Sequence, residues 1–368
     1  MRTVVPEELS SPTQKGSDVK KSSWISIAVV AGSAALVLSG CSGTTGETGG
    51  DASTRACVIL PDAASSPRWE NGDRPALDEA FTAAGFEADI QNAQGDPDKY
   101  ATIADQQMTE GCGVMILVDH QGAAVAVTEK AKAEGIPVIA YDRPIAGADY
   151  YVSFDNEQVG ALEGQMIVDG LAAAGKDPAT AKVIYIGGDP ADGNAAMFHD
   201  GAVAVMEAAG IKPAAEPAGK WDGEYSATAF EQALTDIGGT VDAVWVANDT
   251  NAAGVITVLD KNNLVVPVSG QDASVAGLQN VLLGKQTGTV YKPYQLEAKA
   301  ASDLAIALLK GEKPTVEKKL ADGTPYVAVT PINTGPDGVQ KVIDDGNAVA
   351  SEICTGDVAA KCEELGIK

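Results

Sequence analysis

Short apolar runs and longer amphipathic segments alternate along most of this chain. From residue 57 onward the short runs are rich in Val and Ile, and most of the segments between them have the length of a helix. The predicted strands are 57–60, 86–90, 114–118, 136–141, 150–154, 182–186, 213–217, 242–246, 265–269 and 287–291. The predicted helices are 74–84, 98–110, 122–134, 156–174, 195–209, 226–237, 252–262 and 294–310. This alternation is typical of α/β proteins, in which parallel sheets are covered by helices on both faces.

Polar residues follow six of these runs at the point where each predicted strand ends. They are Asp62, Asp119 and His120, Asp142 and Arg143, Asp189 to Asn194, Asn248 and Asp249, and Gln271 and Asp272. Any one Asp or Asn in such a loop has an ordinary structural explanation, because it caps the helix that follows. In an open α/β sheet, however, ligands bind at the carboxyl ends of the strands. Six polar loops at that edge therefore favour a binding site.

Two tryptophans lie in polar, glycine-containing segments where a large ring has little core to enter. Trp69 and Trp221 either pack locally or offer a flat face to a ligand, whereas Trp245, between two valines, is predicted to be core. A monosaccharide needs hydrogen-bonding groups around its edge and aromatic rings above and below. The predicted site edge and these two indoles together supply both kinds of group.

The N-terminal segment has the features of an export signal. An apolar run over 24–38 follows two lysines and ends in two small residues and Cys41. The run is shorter than the ~20 residues that a membrane-spanning helix needs. We therefore predict a lipoprotein signal peptide over 1–40 and acylation of Cys41, with a signal anchor that ends by chance in Cys as the alternative. Residues 41–55, rich in Gly and Thr, are predicted to be a flexible tether.

Composition narrows the class of partner. Without residues 1–40 the chain keeps 22 basic and 48 acidic residues, a net charge of −26, which repels nucleic acid.

A folded part of about 300 residues exceeds the size at which a single core usually stops growing, so two lobes are expected. The only histidines, His120 and His199, have no spacing typical of a metal site. With no dinucleotide fingerprint either, we expect neither a metal nor a cofactor.

Four cysteines besides Cys41 remain, an even number in a compartment that permits disulfides. Three pairings are possible, and four buried free thiols are the alternative. Cys57 opens the first predicted strand and Cys112 precedes the third, and such strands are neighbours in many doubly wound sheets. Cys354 and Cys362 are close together in the chain. The favoured pairs are therefore 57 with 112 and 354 with 362.

Six segments together carry a family resemblance. They are Pro67-Arg68-Trp69, Ala140-Tyr141-Asp142-Arg143, Ser153-Phe154-Asp155-Asn156, Gly187-Gly188-Asp189-Pro190-Ala191-Asp192-Gly193-Asn194-Ala195, Ser269-Gly270-Gln271-Asp272 and Thr289-Val290-Tyr291-Lys292-Pro293. In order and spacing they resemble the xylose-binding proteins of bacterial ABC sugar importers, and the multi-sugar binding proteins look similar. The resemblance covers about residues 56 to 335.

The resemblance implies a periplasmic-binding-protein type I fold, an α/β protein with two doubly wound parallel-sheet lobes. Three hinge crossings are expected, near 154–155, 292–293 and 326–329. The implied N-terminal lobe is 56–154 plus 293–326, the C-terminal lobe is 155–292 plus 327–345, and the tail is 346–368. The expected function is non-catalytic: a monomeric, lipid-anchored receptor outside the cytoplasm delivers a monosaccharide to an ABC permease and its ATPase. A monosaccharide sensor is the alternative.

The resemblance also implies a ligand set. The expected hydrogen-bonding residues are Arg68, Asp142, Arg143, Asn194, Asn248, Asp272 and Lys292, and the stacking planes are Trp69 and Trp221. Gly193 departs from the family, whose members commonly have Asn there, and this affects sugar identity more than sugar binding. Asp192 and Asp249 either orient the site or cap the following helices, and contacts from Phe198 and His199 are left open.

A secreted glycoside hydrolase is the third function class to weigh, because Asp142 and Asp272 could flank a scissile bond. Arg143 and Lys292 would hold both carboxylates ionised, whereas a general acid needs a raised pKa. The sequence therefore favours binding without turnover.

Overall fold

The computed structural model describes residues 54–63 and 66–368. The predicted signal peptide, the acylated Cys41 and the tether up to residue 53 lie outside the described residues and stay predictions. In the part that is described, no helix is both long and apolar enough to cross a bilayer.

A six-stranded parallel sheet forms the first lobe. Its strands are β1 (Arg55–Leu60), β2 (Glu87–Asn92), β3 (Val114–Leu117), β4 (Val138–Tyr141), β5 (Tyr150–Phe154) and β10 (Tyr326–Val329). They lie in the order β2-β1-β3-β4-β5-β10, and every neighbouring pair runs parallel. Because successive side chains of a strand point to opposite faces, Cys57 and Ile59 enter one core while Val58 and Leu60 enter the other.

The second lobe contains a smaller parallel sheet and an antiparallel pair. The sheet has β6 (Val183–Ile186), β7 (Pro213–Ala215) and β8 (Ala243–Val246) in the order β7-β6-β8, and β9 (Thr289–Tyr291) pairs with β11 (Ile332–Thr334).

The prediction of a strand over 265–269 is wrong, because that segment contributes only an isolated bridge from Val268 to Val244. Pro267 has no N–H to give to a ladder. The sequence analysis did not predict β10 and β11 as strands.

Helices cover both faces of both parallel sheets. They are α1 (Arg74–Ala83), α2 (Pro97–Glu110), α3 (Ala123–Ala133), α4 (Asn156–Ala173), α5 (Gly193–Ala208), α6 (Gly223–Asp236), α7 (Asp249–Lys261), α8 (Val275–Leu282), α9 (Tyr294–Leu309), α10 (Val339–Asp344), α11 (Ala350–Ile353) and α12 (Ala359–Leu365). In the first lobe α2 and α3 pack opposite α1 and α9. In the second lobe α4 and α5 pack opposite α6 and α7. This arrangement confirms the doubly wound fold.

The chain passes between the lobes three times. It leaves β5 for α4, returns from β9 into α9, and leaves β10 for β11. Two of these passages lie at the places that the resemblance implied. The third lies just after 326–329, because those residues form β10 in the first-lobe sheet, and the exact lobe boundaries stay predictions. The N-terminal lobe receives its last helix, α9, only after the chain has passed through β6 to β9 of the second lobe.

Both favoured disulfides are present. The Cys57–Cys112 disulfide joins β1 to the segment just before β3, and the Cys354–Cys362 disulfide closes a short loop within the tail. The tail packs on α8 through buried side chains that include Ile353. It therefore belongs to the folded second lobe.

Candidate functional site

A cleft lies between the carboxyl ends of the strands of the two lobes. Its space amounts to about 410 Å³ counted out to its open mouth. The cleft brings together all nine residues that the resemblance implied: Arg68, Trp69, Asp142, Arg143, Asn194, Trp221, Asn248, Asp272 and Lys292. Their role in binding a ligand stays a prediction.

Arg68 is the centre of the first-lobe side of the cleft. A π-helical turn, Trp69–Asp73, follows it and leads into α1. Its guanidinium donates to Asp73 with two bonds of 2.8 Å, to Asp142 at 3.0 Å and to Glu297 at 2.5 Å. Burial disfavours the charged guanidinium, but the three carboxylates outweigh this effect and raise the pKa of Arg68 well above its ordinary value.

Glu297 reaches this cluster from α9, and its side chain is fully buried. Burial, only partly offset by Arg68, raises the pKa of Glu297 well above its ordinary value. Of the five N–H groups of Arg68, the described contacts use four. Arg68 therefore holds Asp142 in place.

The backbone of Asp142 is held in the left-handed region, with φ 62°, which Asp adopts more readily than most residues. Its carbonyl oxygen accepts bonds from Tyr151 Oη and Ser153 Oγ, both at 2.8 Å, and from Asn194 Nδ2 at 2.7 Å. Asn194 lies at the start of α5 in the second lobe. This bond therefore joins the lobes at the inner end of the cleft.

Helix capping and one ion pair organise the second-lobe side. Asn248 Oδ1 caps α7 by accepting from the backbone N–H of Asn251 at 2.9 Å. Asp272 has φ 97° and lies 2.8 Å from Lys292 Nζ, with both side chains largely buried. Burial disfavours the ammonium group, but Asp272 outweighs this effect and raises the pKa of Lys292. Lys292 is therefore protonated at neutral pH.

Asp249 supports this loop and is not among the described residues that line the cleft. Its carboxylate accepts 2.9 Å bonds from the backbone of Ser274, from Gln286 Nε2 and from Thr289 Oγ1. Burial, together with the nearby charge of Asp272, raises the pKa of Asp249 to about 7. Asp249 therefore stabilises, from inside the lobe, the loop that carries Asp272.

The two indoles come from different lobes. Trp69 is 2% exposed, and the guanidinium carbons of Arg68 and Arg143 lie 4.6 Å and 5.6 Å from its ring centroid. Trp221 is half-buried, contacts Phe198 edge-on at 6.3 Å, and donates from Nε1 to Asp192 at 3.1 Å. Both rings are therefore fixed by neighbours before any ligand arrives.

Four further residues line the cleft. Ser66 was not expected there, Gln271 was expected at the strand-end edge but not among the ligand contacts, and the roles of Asp192 and Phe198 were left open. Asp192 does cap α5, since Oδ1 accepts from the N–H of Asn194 at 2.9 Å, and its other oxygen faces the cleft. Gln271 was within reach of the sequence argument, because it stands in the same strand-end loop as Asp272.

His199 lies away from the cleft wall, where it pairs with Asp200 and Glu216 at 2.9 Å each.

At Gly193, a Cβ atom would come within 2.7 Å of Pro144 Cγ. The missing side chain thus allows the two lobes to approach closely, which is a physical reason for the departure from the family. Among the residues that the structure describes, no group of three or more His, Cys, Asp or Glu side chains is placed to hold a metal.

Two parallel-sheet lobes facing each other across a narrow polar cleft, and joined by three chain passages, define a solute-binding protein that encloses a small ligand. Residues 57–313 match the periplasmic binding protein domain. The chain belongs to this family, whose members bind and transport solutes without catalysing a reaction.

Named relatives agree with this assignment. The chain is 33% identical to the D-xylose-binding periplasmic protein of Escherichia coli over 300 residues, which cover 78% of this chain and 88% of that protein. It is 34% identical to the protein of the same name in Haemophilus influenzae, over 76% of this chain and 86% of the relative. Among solved structures, an ABC transporter solute-binding protein from Clostridium phytofermentans with bound β-D-glucose is similar, with a TM-score of 0.73 and 26% identity. That match covers 81% of this chain and 99% of the other.

Proposed function

We propose that this protein binds a monosaccharide in the cleft and delivers it to an ABC permease driven by a cytoplasmic ATPase. The observation that carries the proposal is the meeting of nine polar and aromatic residues, predicted one by one, in a single cleft between two lobes. Cationic donors and carboxylate acceptors surround the space, and an indole from each lobe borders it. This combination suits a ring of hydroxyl groups with apolar C–H faces.

The energetics support binding in a useful range. A charge-assisted hydrogen bond contributes about 1.5–3 kcal/mol net and a neutral one about 1 kcal/mol. Several such bonds, reduced by the cost of association and lobe closure, correspond to a micromolar dissociation constant, or about −8 kcal/mol. Hinge closure would bury the sugar between the lobes.

D-xylose is the first candidate ligand, because two relatives with about one third identity are D-xylose-binding proteins. Glucose, galactose and arabinose are the competitors, and a similar structure holds β-D-glucose. A thermal-shift panel of these four sugars tests the proposal. A ligand at a hundredfold over its dissociation constant should stabilise the protein by about 2.7 kcal/mol. No shift with any monosaccharide would contradict it.

A monosaccharide receptor for chemotaxis or kinase signalling is the alternative, since its site would look the same. Permease and ATPase genes beside this gene would favour transport. A hydrolase is disfavoured by the contacts of its two candidate carboxyls. Asp142 lies 3.0 Å from Arg68, where Arg143 was expected as its partner, and Asp272 lies 2.8 Å from Lys292. Aryl glycosides should therefore show no turnover.

The lipid anchor belongs to the same proposal. Family members act outside the cytoplasm, and here we propose attachment through an acylated Cys41, with a monomeric folded part. Cys41→Ser should release the protein from the membrane fraction, or leave it unprocessed, with unchanged sugar affinity. A Cys41→Ser variant that is still acylated and membrane-bound would show that the anchor is elsewhere.

A further inference from the structure

A second, larger cavity lies next to the cleft, toward the mouth between the lobes. We call it the outer cavity, and we call the cleft described above the inner cleft. The outer cavity amounts to about 1,300 Å³ counted out to solvent. Loops at the carboxyl ends of strands from both lobes line it, so it lies at the same sheet edges as the inner cleft. Its lining includes His120, Gln121, Asp189, Lys220 and Asp222, which are hydrogen-bonding side chains of the kind that hydroxyl groups need.

Three residues line both cavities and therefore form the wall between them: Arg143, Asp192 and Trp221. Arg143 comes from the first lobe, and the other two come from the second. Asp192 Oδ2 is the centre of the wall, because it lies 3.3 Å from Arg143 Nε and accepts from Trp221 Nε1 at 3.1 Å. One carboxylate oxygen thus connects the two lobes across the cleft.

The wall is supported on both sides. Arg143 Nη1 donates to the carbonyl oxygen of Asp119 at 2.9 Å, which anchors the guanidinium to the first lobe. The Trp221 ring lies so close to the backbone of Gly188 that no side chain fits there. The residues that follow in each loop, Pro144 and Gly193, also meet at close range. The two loops therefore touch at two consecutive positions, and the wall is a packed contact between lobes.

We propose that Asp192 is a specificity-determining residue that restricts the cleft to a single sugar ring. This inference rests on the proposed function. With the Asp192 carboxylate in place, a second ring attached to the bound sugar would have to pass through the Arg143–Asp192–Trp221 contact. With that carboxylate removed, the inner cleft opens into the outer cavity, where polar side chains can receive a second ring.

Asp192→Ser tests this directly, because Ser keeps the helix cap and removes the carboxylate from the wall. The probes are D-xylose with xylobiose and D-glucose with cellobiose, titrated by calorimetry into wild type and variant. We expect wild type to bind the monosaccharide and not the disaccharide. We expect Asp192→Ser to bind the monosaccharide about tenfold more weakly and to gain measurable disaccharide binding, at least tenfold tighter than wild type.

Two further variants make the result specific. Asp192→Asn keeps the size and the cap but not the charge, so the sugar should dissociate several-fold faster while disaccharides stay excluded. Asp222→Ser is the matched control, because Asp222 also caps a helix, α6, and lines the outer cavity but not the inner cleft. It should change neither monosaccharide nor disaccharide binding.

The outcomes separate the two proposals. A wild type that binds no monosaccharide would overturn the proposed function and this inference with it. A wild type that binds monosaccharides would uphold the proposed function. In that case, Asp192→Ser without any gain in disaccharide binding, or wild type that already binds disaccharides equally well, would overturn only the role of Asp192.

Discussion

The two sides of the cleft are built in different ways. The first-lobe side depends on one guanidinium, Arg68, enclosed by three carboxylates, two of which are fully buried. The second-lobe side depends on helix caps and one ion pair, Asp272 with Lys292. Removing one member of a buried charge cluster leaves several charges uncompensated, whereas breaking a single pair leaves one. Substitutions in the Arg68 cluster should therefore affect folding, and those of the Asp272–Lys292 pair should affect chiefly affinity.

Arg68→Ala should have the largest effect. It leaves the carboxylates of Asp73, Asp142 and Glu297 without their common partner, and we expect a loss of about 3–5 kcal/mol in the free energy of unfolding. Urea denaturation without ligand measures it. Arg55→Ala is the matched control, because Arg55 also faces three carboxylates, all partly exposed, and should cost about 1 kcal/mol or less. Equal losses for the two variants would contradict the account of the buried cluster.

The disulfides extend the comparison from the cleft to the lobes. Cys57–Cys112 spans 55 residues in the first lobe, and Cys354–Cys362 spans 8 in the second. The chain-entropy relation gives about 4 kcal/mol for the longer loop and about 2.5 kcal/mol for the shorter one. Cys57→Ser with Cys112→Ser should therefore lower the melting temperature more than Cys354→Ser with Cys362→Ser. The reverse order would show that the tail disulfide matters more than its loop length implies.

Arg143→Ala and Asp272→Asn compare ligand contacts from the two lobes. Each should weaken binding of the best sugar by about 2–4 kcal/mol, because a charge-assisted bond is lost and a partner is left uncompensated. Asn is used at position 272 because it tolerates the left-handed backbone there. Titration calorimetry measures the change, with Lys130→Ala on the exposed face of α3 as a control that should bind normally. Unchanged affinity in both folded variants would mean that the resemblance describes the fold alone.

Asp249 should give the smallest effect, visible as a dependence of stability on pH. Its pKa is about 7 in the folded protein and about 3.9 when unfolded. The folded state thus holds a proton that the unfolded state has lost, so the stabilisation is complete below about pH 4 and disappears as the pH rises through about 7. Asp249→Asn should remove this dependence. Between pH 5 and pH 8, the free energy of unfolding of wild type should fall by about 2–3 kcal/mol more than that of the variant, which urea denaturation at the two pH values measures. An equal fall in stability for wild type and Asp249→Asn would contradict the assignment of this pH dependence to Asp249.

The sequence was sufficient for most strands of the parallel sheets, for the disulfide pairs and for the residues at the strand ends, because these follow from local pattern and from short motifs, but it missed β10 and β11. It was not sufficient for Glu297 and Asp73. An acidic residue on a helix has the pattern of a solvated face, and only tertiary packing places these two against Arg68. Pro267 shows the opposite failure, since its Val-rich surroundings predict a strand that its missing N–H prevents. Asp192 was recognisable as a helix cap, but its second contact depends on how the lobes meet.

The most direct test of the central claim is a crystal structure of the protein with the best sugar of the panel. The account predicts one monosaccharide between the lobes, bordered by Trp69 and Trp221. It also predicts that Arg143 donates a hydrogen bond to the sugar and that Asp142, on the same side, and Asp272, on the other, accept hydrogen bonds from it. A sugar bound outside the cleft, or inside it without contact to these residues, would contradict the account.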